Sequence, residues 1–167
     1  LRGLNALTED SLKGAVLTKV VRENLALYSA HTNADITASG VSATLARALD
    51  LSDLKPLVPV SENVGHGRIG NLAEPMALVD FARRVARVLP ASAAGIKIAG
   101  KADSTVQRIA LCGGAGDSFI QDAISADADV FVTSDLRHHP TQDAVEQALA
   151  SGREFSLIDV SHWAAES

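Results

Sequence analysis

Cysteine is nearly absent from this sequence of 167 residues, in which Cys112 is the only one. A single thiol cannot form an intrachain disulfide, so the small secreted scaffolds that depend on disulfides are excluded and a reducing compartment is expected. Long apolar runs are also missing, because none approaches the ~20 residues that a membrane-spanning helix needs. We therefore expect a soluble, cytoplasmic protein with no membrane partner.

A surplus of basic residues is missing as well. Lysine and arginine together number 15, against 20 aspartates and glutamates, which gives a formal net charge of −5. The one basic cluster, Arg83, Arg84 and Arg87, is too small for the one-sided basic surface that nucleic-acid binding requires, so nucleic acid is not an expected partner. The N-terminus has neither an initiator methionine nor the layout of a signal peptide, and we expect the chain to be a fragment or a processed product.

The apolar content of 47% and the charged content of 21% are those of an ordinary globular protein, and the length suits a single domain, residues 1–167. Helical spacing and short apolar runs alternate, which predicts an α/β fold with helices layered on a mixed, largely parallel sheet. The predicted helices are 12–23, 41–49, 74–89, 117–125, 141–150 and 161–166. The predicted strands are 25–30, 57–60, 95–99, 106–111, 130–133 and 155–158, with a flexible glycine loop at 65–70.

Three polar strings follow predicted strands, and together they hold four of the five histidines. The strings are residues 31–35, 135–139 and 159–166. In sheets with parallel strands, ligands bind outside the carboxyl ends of the strands. The sequence therefore predicts one site to which these three strings contribute.

His162 and Glu166 are four residues apart, so on a helix their side chains share one face and can hold one ion. Imidazole and carboxylate are common donors to Zn²⁺, Mn²⁺ and Fe²⁺ in proteins. The alternative for this pair is the solvated face of a C-terminal helix.

Asp35 also has two possible roles, since an aspartate after a strand either binds an ion or caps the next segment. His31, on the same string, either serves the site or hydrogen-bonds the backbone.

Asp135 and His138 lie with Arg137 and His139 in one string, and this combination of acid, guanidinium and imidazole suits acid/base or phosphate chemistry. A surface turn that ends at Pro140 is the alternative. Residues 112–116 are rich in glycine but match neither the dinucleotide fingerprint nor the P-loop pattern. For them we predict a tight turn between a strand and a helix.

Taken together, five strings resemble those of the Nif-three-like family, whose members are also called GTP cyclohydrolase I type 2 homologs. The strings occur in the family's order and cover nearly the whole chain. They are "YSAHTNAD" at 28–35, "GHGRIGNL" at 65–72, "CGGAGDSF" at 112–119, "VTSDLRHH" at 132–139 and "LIDVSHWAAE" at 157–166.

The resemblance implies two similar α/β lobes around a dinuclear metal site, two divalent ions (Zn, Mn or Fe) as cofactors, and assembly into homohexamers. The metal ligands that it implies are Asp35, His162 and Glu166, with Glu166 bridging the two ions. Three further residues are expected to line the site as candidate catalytic groups: His31, Asp135 and His138.

One departure from the family concerns a His-His pair on the segment that would precede Leu1, since this chain begins after it. The His138-His139 pair belongs to a different motif, and the loss of two ligands is expected to weaken metal binding. Two functions follow from the resemblance. One is a metal-dependent hydrolase of a small-molecule substrate, in which two ions activate water and His138 or His31 moves protons. The other is a non-enzymatic protein, either a metal-binding or metal-delivery protein or an oligomeric scaffold.

Overall fold

A computed structural model describes residues 6–167, and the chain divides into two units, Leu1–His31 and Thr32–Ser167. Helix α1 (Leu12–Arg22) belongs to the first unit and begins after Ser11, whose hydroxyl accepts a hydrogen bond from the amide of Gly14 at 3.1 Å. This helix confirms the prediction. None of the described helices is long and apolar enough to cross a membrane.

The strand predicted at residues 25–30 is wrong, because this segment of the first unit forms neither helix nor strand. Its apolar side chains are largely exposed: Leu27 is 68% and Tyr28 82% accessible. A short apolar run has the composition of a strand, but a strand exists only where a neighbour accepts its backbone hydrogen bonds.

The second unit contains a six-stranded sheet, a two-stranded sheet and six helices among its described residues. The helices are α2 (Thr32–Asp35), α3 (Val41–Ala48), α4 (Leu78–Val88), α5 (Ile120–Ser125), α6 (His138–Ala150) and α7 (His162–Ala165). The strands are β1 (Ser52–Lys55), β2 (Val58–Ser61), β3 (Val64–His66), β4 (Arg68–Ala77), β5 (Lys97–Ala99), β6 (Thr105–Ala115), β7 (Val130–Ser134) and β8 (Ser156–Val160). A short 3₁₀ turn, Asp117–Phe119, leads into α5.

The larger sheet has the order β1-β4-β6-β7-β8-β5, and β2 pairs with β3 in the smaller one. β6, β7 and β8 are parallel neighbours, whereas β4 and β5 run against them at the two flanks. β1 is antiparallel to β4, so four of the six strands run in one direction. The predicted mixed sheet, with most strands in one direction, is confirmed.

Helices cover both faces of this sheet. Successive residues of its buried strands point to opposite sides, so each face presents apolar side chains to the helices that pack on it. Ile109 and Leu111 of β6 face a cluster that includes residues of α3, α4 and α7. Ala110 and Cys112 face the other cluster, which α5 and α6 complete. The predicted layering of helices on the sheet is therefore correct.

Several predicted boundaries are wrong in this unit. The glycine loop at 65–70 is the end of β3 and the start of β4, and the helix predicted from Glu74 starts at Leu78. Pro75 lies within β4, at a register shift between Asn71 and Met76 where the ladder to β6 is interrupted. A proline is tolerated there because no regular ladder hydrogen bond is required of it. The predicted turn at 112–116 is also wrong, since β6 continues to Ala115.

Candidate metal centre

Three side chains of the predicted site, those of Asp135, His162 and Glu166, meet at the carboxyl ends of β7 and β8. Asp135 follows β7 directly, and His162 is the first residue of α7, which begins two residues after β8 ends. Because β7 and β8 are neighbours in the sheet, their ends bring Asp135 and His162 together. This edge of the sheet is the candidate centre.

His162 lies between two carboxylates. Its Nδ1 atom is 2.7 Å from Oδ2 of Asp135, and its Nε2 atom is 3.2 Å from Oε1 of Glu166. The contact with Glu166 is the one that a four-residue spacing predicts on a helix, although α7 has only four residues and Glu166 caps its end. Both side chains remain exposed, 45% for His162 and 40% for Glu166, so the pair contacts within a solvated face at the end of the chain's last helix.

The two carboxylates change the acidity of the imidazole. A hydrogen bond with Asp135 raises the pKa of His162, partial burial opposes the shift, and the negative charge of Glu166 adds to the increase. Asp135 holds its position with a left-handed backbone, φ +57°, a conformation that aspartate tolerates better than most residues. Its carboxylate thus orients the ring and leaves Nε2 towards Glu166.

Asp35 is the last residue of α2 and lies in the second unit together with His162. Burial raises the pKa of the Cys112 thiol to about 11 against an opposing hydrogen bond with Ser42, and the charges of Asp35 and Glu166 add to the increase. Both carboxylates therefore act on the same sulfur at the end of β6. A cavity of about 340 Å³ opens beside Glu166, and residues of α3 and α7 form much of its wall.

Arg68 is a residue of this region that the sequence analysis missed. Its side chain is 3% exposed, and its guanidinium donates to the carbonyls of Ile36 and Thr37 and to those of Gly65 and Gly67. The amide of Gly65 also donates to the carbonyl of Ile36, at 3.0 Å. These bonds hold the segment after Asp35 against the start of β4. The signal available in the sequence was a single arginine among the glycines of the string at 65–72.

Two further candidate catalytic residues are His138 and His31. His138 is in the first turn of α6, not in a loop, and lines a separate cavity of about 480 Å³ between α6 and β5. Its ring packs edge-on against His139, with centroids 5.3 Å apart. His31 is the last residue of the first unit, where it is exposed.

The donors at this centre fit a divalent ion in part. Nε2 of His162 and a carboxylate oxygen of Glu166 are chemically suited to Zn²⁺, Mn²⁺ or Fe²⁺, and they face each other. Within residues 6–167, no three His, Cys, Asp or Glu side chains come together closely enough to hold a metal ion. The described part of the chain thus brings together two donors, with Asp135 on the other nitrogen of His162.

Cys112 allows a first prediction. Because its pKa is about 11 and its side chain is 8% exposed, about one thiol in a thousand is ionised at pH 8, and that thiol is shielded. We expect alkylation by iodoacetamide at pH 8 to be at least about 100-fold slower in the folded protein than in the chain unfolded in guanidinium. Mass spectrometry over time measures both rates, and similar rates would show that the thiol is accessible.

The chain is similar to known proteins over nearly its whole length. The family model described as Duf34/NIF3 (NGG1p interacting factor 3) matches residues 1–167. A Streptomyces coelicolor protein named "GTP cyclohydrolase 1 type 2 homolog" is 40% identical over an alignment of 170 positions, which covers 99% of this chain and 58% of that protein. A Mycobacterium leprae protein of the same name is 47% identical over 114 residues, 68% of this chain and 28% of its own length. The chain spans little more than half of the first of these relatives.

Solved structures share the fold. A Bacillus cereus protein related to NIF3 superposes with a TM-score of 0.77 at 21% identity, over 98% of this chain and 70% of that one. Reduced HcgD from Methanocaldococcus jannaschii gives a TM-score of 0.71 at 24% identity, over 99% of this chain and 60% of that one. At these identities the similarity establishes the α/β fold and nothing further.

Proposed function

We propose that this chain, which belongs to the Duf34/NIF3 family, binds a divalent metal ion through His162 and Glu166. The observation that carries the proposal is the position of His162 between Asp135 on Nδ1 and Glu166 beside Nε2. Histidines that bind metals commonly donate their second ring N–H to a carboxylate, which fixes the tautomer and the ring orientation. Asp135 is in the position to do this.

The distance between the two donors supports the proposal. Two bonds of about 2.1 Å to one ion, at an angle of about 100°, separate their donor atoms by about 3.2 Å. The separation between Nε2 of His162 and Oε1 of Glu166 is 3.2 Å. Metal binding requires the neutral imidazole, so the ion and the proton compete for the same nitrogen. In the proposal Asp35 would be a third ligand, and Glu166 would also hold a second ion of Zn, Mn or Fe.

The reaction that we propose is hydrolysis of a small molecule, in line with the name that the Streptomyces coelicolor relative carries. A bound divalent ion supplies a Lewis acid that lowers the pKa of water. The chain's own contribution is to orient His162 through Asp135 and to provide the cavity beside Glu166 for a substrate. Proton transfer by His138 or His31, a hexameric assembly and two similar lobes around the ions belong to the same proposal.

A second candidate is a metal-binding or metal-delivery scaffold without catalytic activity. It is favoured by the small donor set, since two donors bind an ion less tightly and release it more easily than four. Turnover distinguishes the two candidates. Protein loaded with Zn²⁺, Mn²⁺ or Fe²⁺ would be screened against nucleotides and phosphoesters, and hydrolysis that disappears with chelator supports the hydrolase.

Metal binding itself is tested with two histidine variants. Equilibrium dialysis against Zn²⁺ or Mn²⁺ is expected to show bound metal in the wild-type protein and a loss of at least about tenfold in affinity in His162→Ala. His139→Ala is the matched control, because His139 is also an exposed histidine and its ring packs against His138, outside the contacts that join His162 to Asp135 and Glu166. No binding by the wild-type protein, or equal binding by both variants, would refute the proposed site.

A further inference from the structure

Gly114 lies beside the His162–Glu166 pair, near the end of β6. Its backbone is left-handed, with φ +70°, in the stretch between Leu111 and Ala115 where the register with β7 shifts. A Cβ atom built on Gly114 would be 2.4 Å from Oε1 of Glu166 and 3.4 Å from Nε2 of His162. Oε1 is the same carboxylate oxygen that contacts the imidazole. A methyl group here would thus occupy the place where the carboxylate meets the ring.

The backbone at Gly114 has little freedom to retreat. Its carbonyl accepts a hydrogen bond from the buried hydroxyl of Thr133 at 3.0 Å, and the amide of Gly113 donates to Oγ of Ser42 at 3.1 Å. The next residue, Ala115, pairs with Ser134 of β7. With the strand held on both sides, the group that moves is the end of the Glu166 side chain, which is 40% exposed and has solvent beside it.

We propose that Gly114 is a positioning residue of the centre: its missing side chain leaves the space in which the Glu166 carboxylate meets His162. The proposal rests on the metal binding proposed above. A methyl group added to Gly114 would have two effects. It would strain the left-handed backbone, which affects stability, and it would displace the Glu166 carboxylate, which affects metal binding.

The chain contains a control for the strain. Gly152 follows α6 with φ +72°, nearly the same backbone conformation, and a Cβ there meets no atom of the described residues within 4 Å. Gly114→Ala and Gly152→Ala are therefore expected to lower the melting temperature by a similar few degrees. In Gly114→Ala the affinity for Zn²⁺ or Mn²⁺ is expected to fall at least about tenfold, and in Gly152→Ala to stay within about twofold of the wild type.

Calorimetric titration with each metal and thermal unfolding without metal measure the two effects separately. Wild-type affinity in Gly114→Ala would overturn the proposal, and so would an equal loss of affinity in Gly152→Ala. In a Glu166→Ala background, Gly114→Ala is expected to cause no further loss of affinity, since the displaced carboxylate is already gone. A further tenfold loss in the double variant would also overturn it. If Gly114→Ala does not fold, Gly114→Asn against Gly152→Asn replaces it, because asparagine tolerates a left-handed backbone better.

A crystal structure of Gly114→Ala separates this proposal from the proposed function. The distance between Nε2 of His162 and Oε1 of Glu166, 3.2 Å in the native chain, is expected to exceed about 3.5 Å, the outer limit of a hydrogen bond. An unchanged distance refutes the positioning role whether or not metal binds. Absence of metal binding by the wild-type protein refutes the proposed function, and the structure of the variant then decides the role of Gly114 by itself.

Discussion

Glu166→Ala is expected to lower the affinity for Zn²⁺ or Mn²⁺ by about 100-fold or more, a larger effect than that of any second-sphere change. The physical reason is that the variant removes one of two donors that face each other at 3.2 Å and leaves His162 alone with Asp135. The measurement is metal content after dialysis, together with a titration of the metal-free protein.

Glu62→Ala is the matched control for this prediction. Glu62 is an exposed carboxylate in the turn between β2 and β3, so its removal changes the net charge of the protein by the same amount. Its affinity for metal is expected to stay within about twofold of the wild type, because the electrostatic effect of a single exposed charge is weakened by solvent and salt. If the two variants retain equal amounts of metal, Glu166 is not a ligand.

The site residues on α7 could be predicted from the sequence because their relation is local. A spacing of four residues places His162 and Glu166 on one face wherever the segment is helical, and even the single turn of α7 is sufficient for contact. The apolar runs of β6, β7 and β8 were likewise predictable, since buried parallel strands are apolar on both faces.

The partner of His162 on its other nitrogen was not predictable in the same way. Asp135 was expected to line a site, but its hydrogen bond to His162 joins residues 27 positions apart. That contact exists because β7 and β8 are adjacent and in register, with Thr133 opposite Asp159. Strand order and register depend on the whole sheet, and a local pattern contains neither.

Glycines caused one of the errors in the fold prediction. The glycines at 65–70 were interpreted as signs of a flexible loop, whereas they allow strands to approach closely. A Cβ on Gly67 would be 2.7 Å from the carbonyl oxygen of Leu111, and one on Gly70 would be 2.6 Å from that of Ser52. Glycine in a strand often marks such an approach, but the sequence does not show which backbone approaches.

Arg68→Met is expected to destabilise the protein by about 3–5 kcal/mol. The guanidinium is buried and donates to four backbone carbonyls, those of Ile36 and Thr37 and those of Gly65 and Gly67. Methionine fills much of the same volume but donates no hydrogen bond, so the buried carbonyls of Gly65 and Gly67 and the partly buried ones of Ile36 and Thr37 lose their side-chain donor. The loss of four hydrogen bonds from a charged donor exceeds what the apolar side chain gains from burial.

The control is Arg83→Met, which removes an exposed ion pair with Asp80 on α4. Its expected cost is below about 1 kcal/mol, because exposed pairs of this kind contribute little. Urea unfolding followed by circular dichroism gives both free energies of unfolding. Arg68→Met should also release the segment that carries Asp35, which hydrogen exchange would detect as faster exchange of the Gly65 amide, the donor to Ile36. Equal costs in the two variants, with unchanged exchange at Gly65, would show that Arg68 does not hold this segment in place.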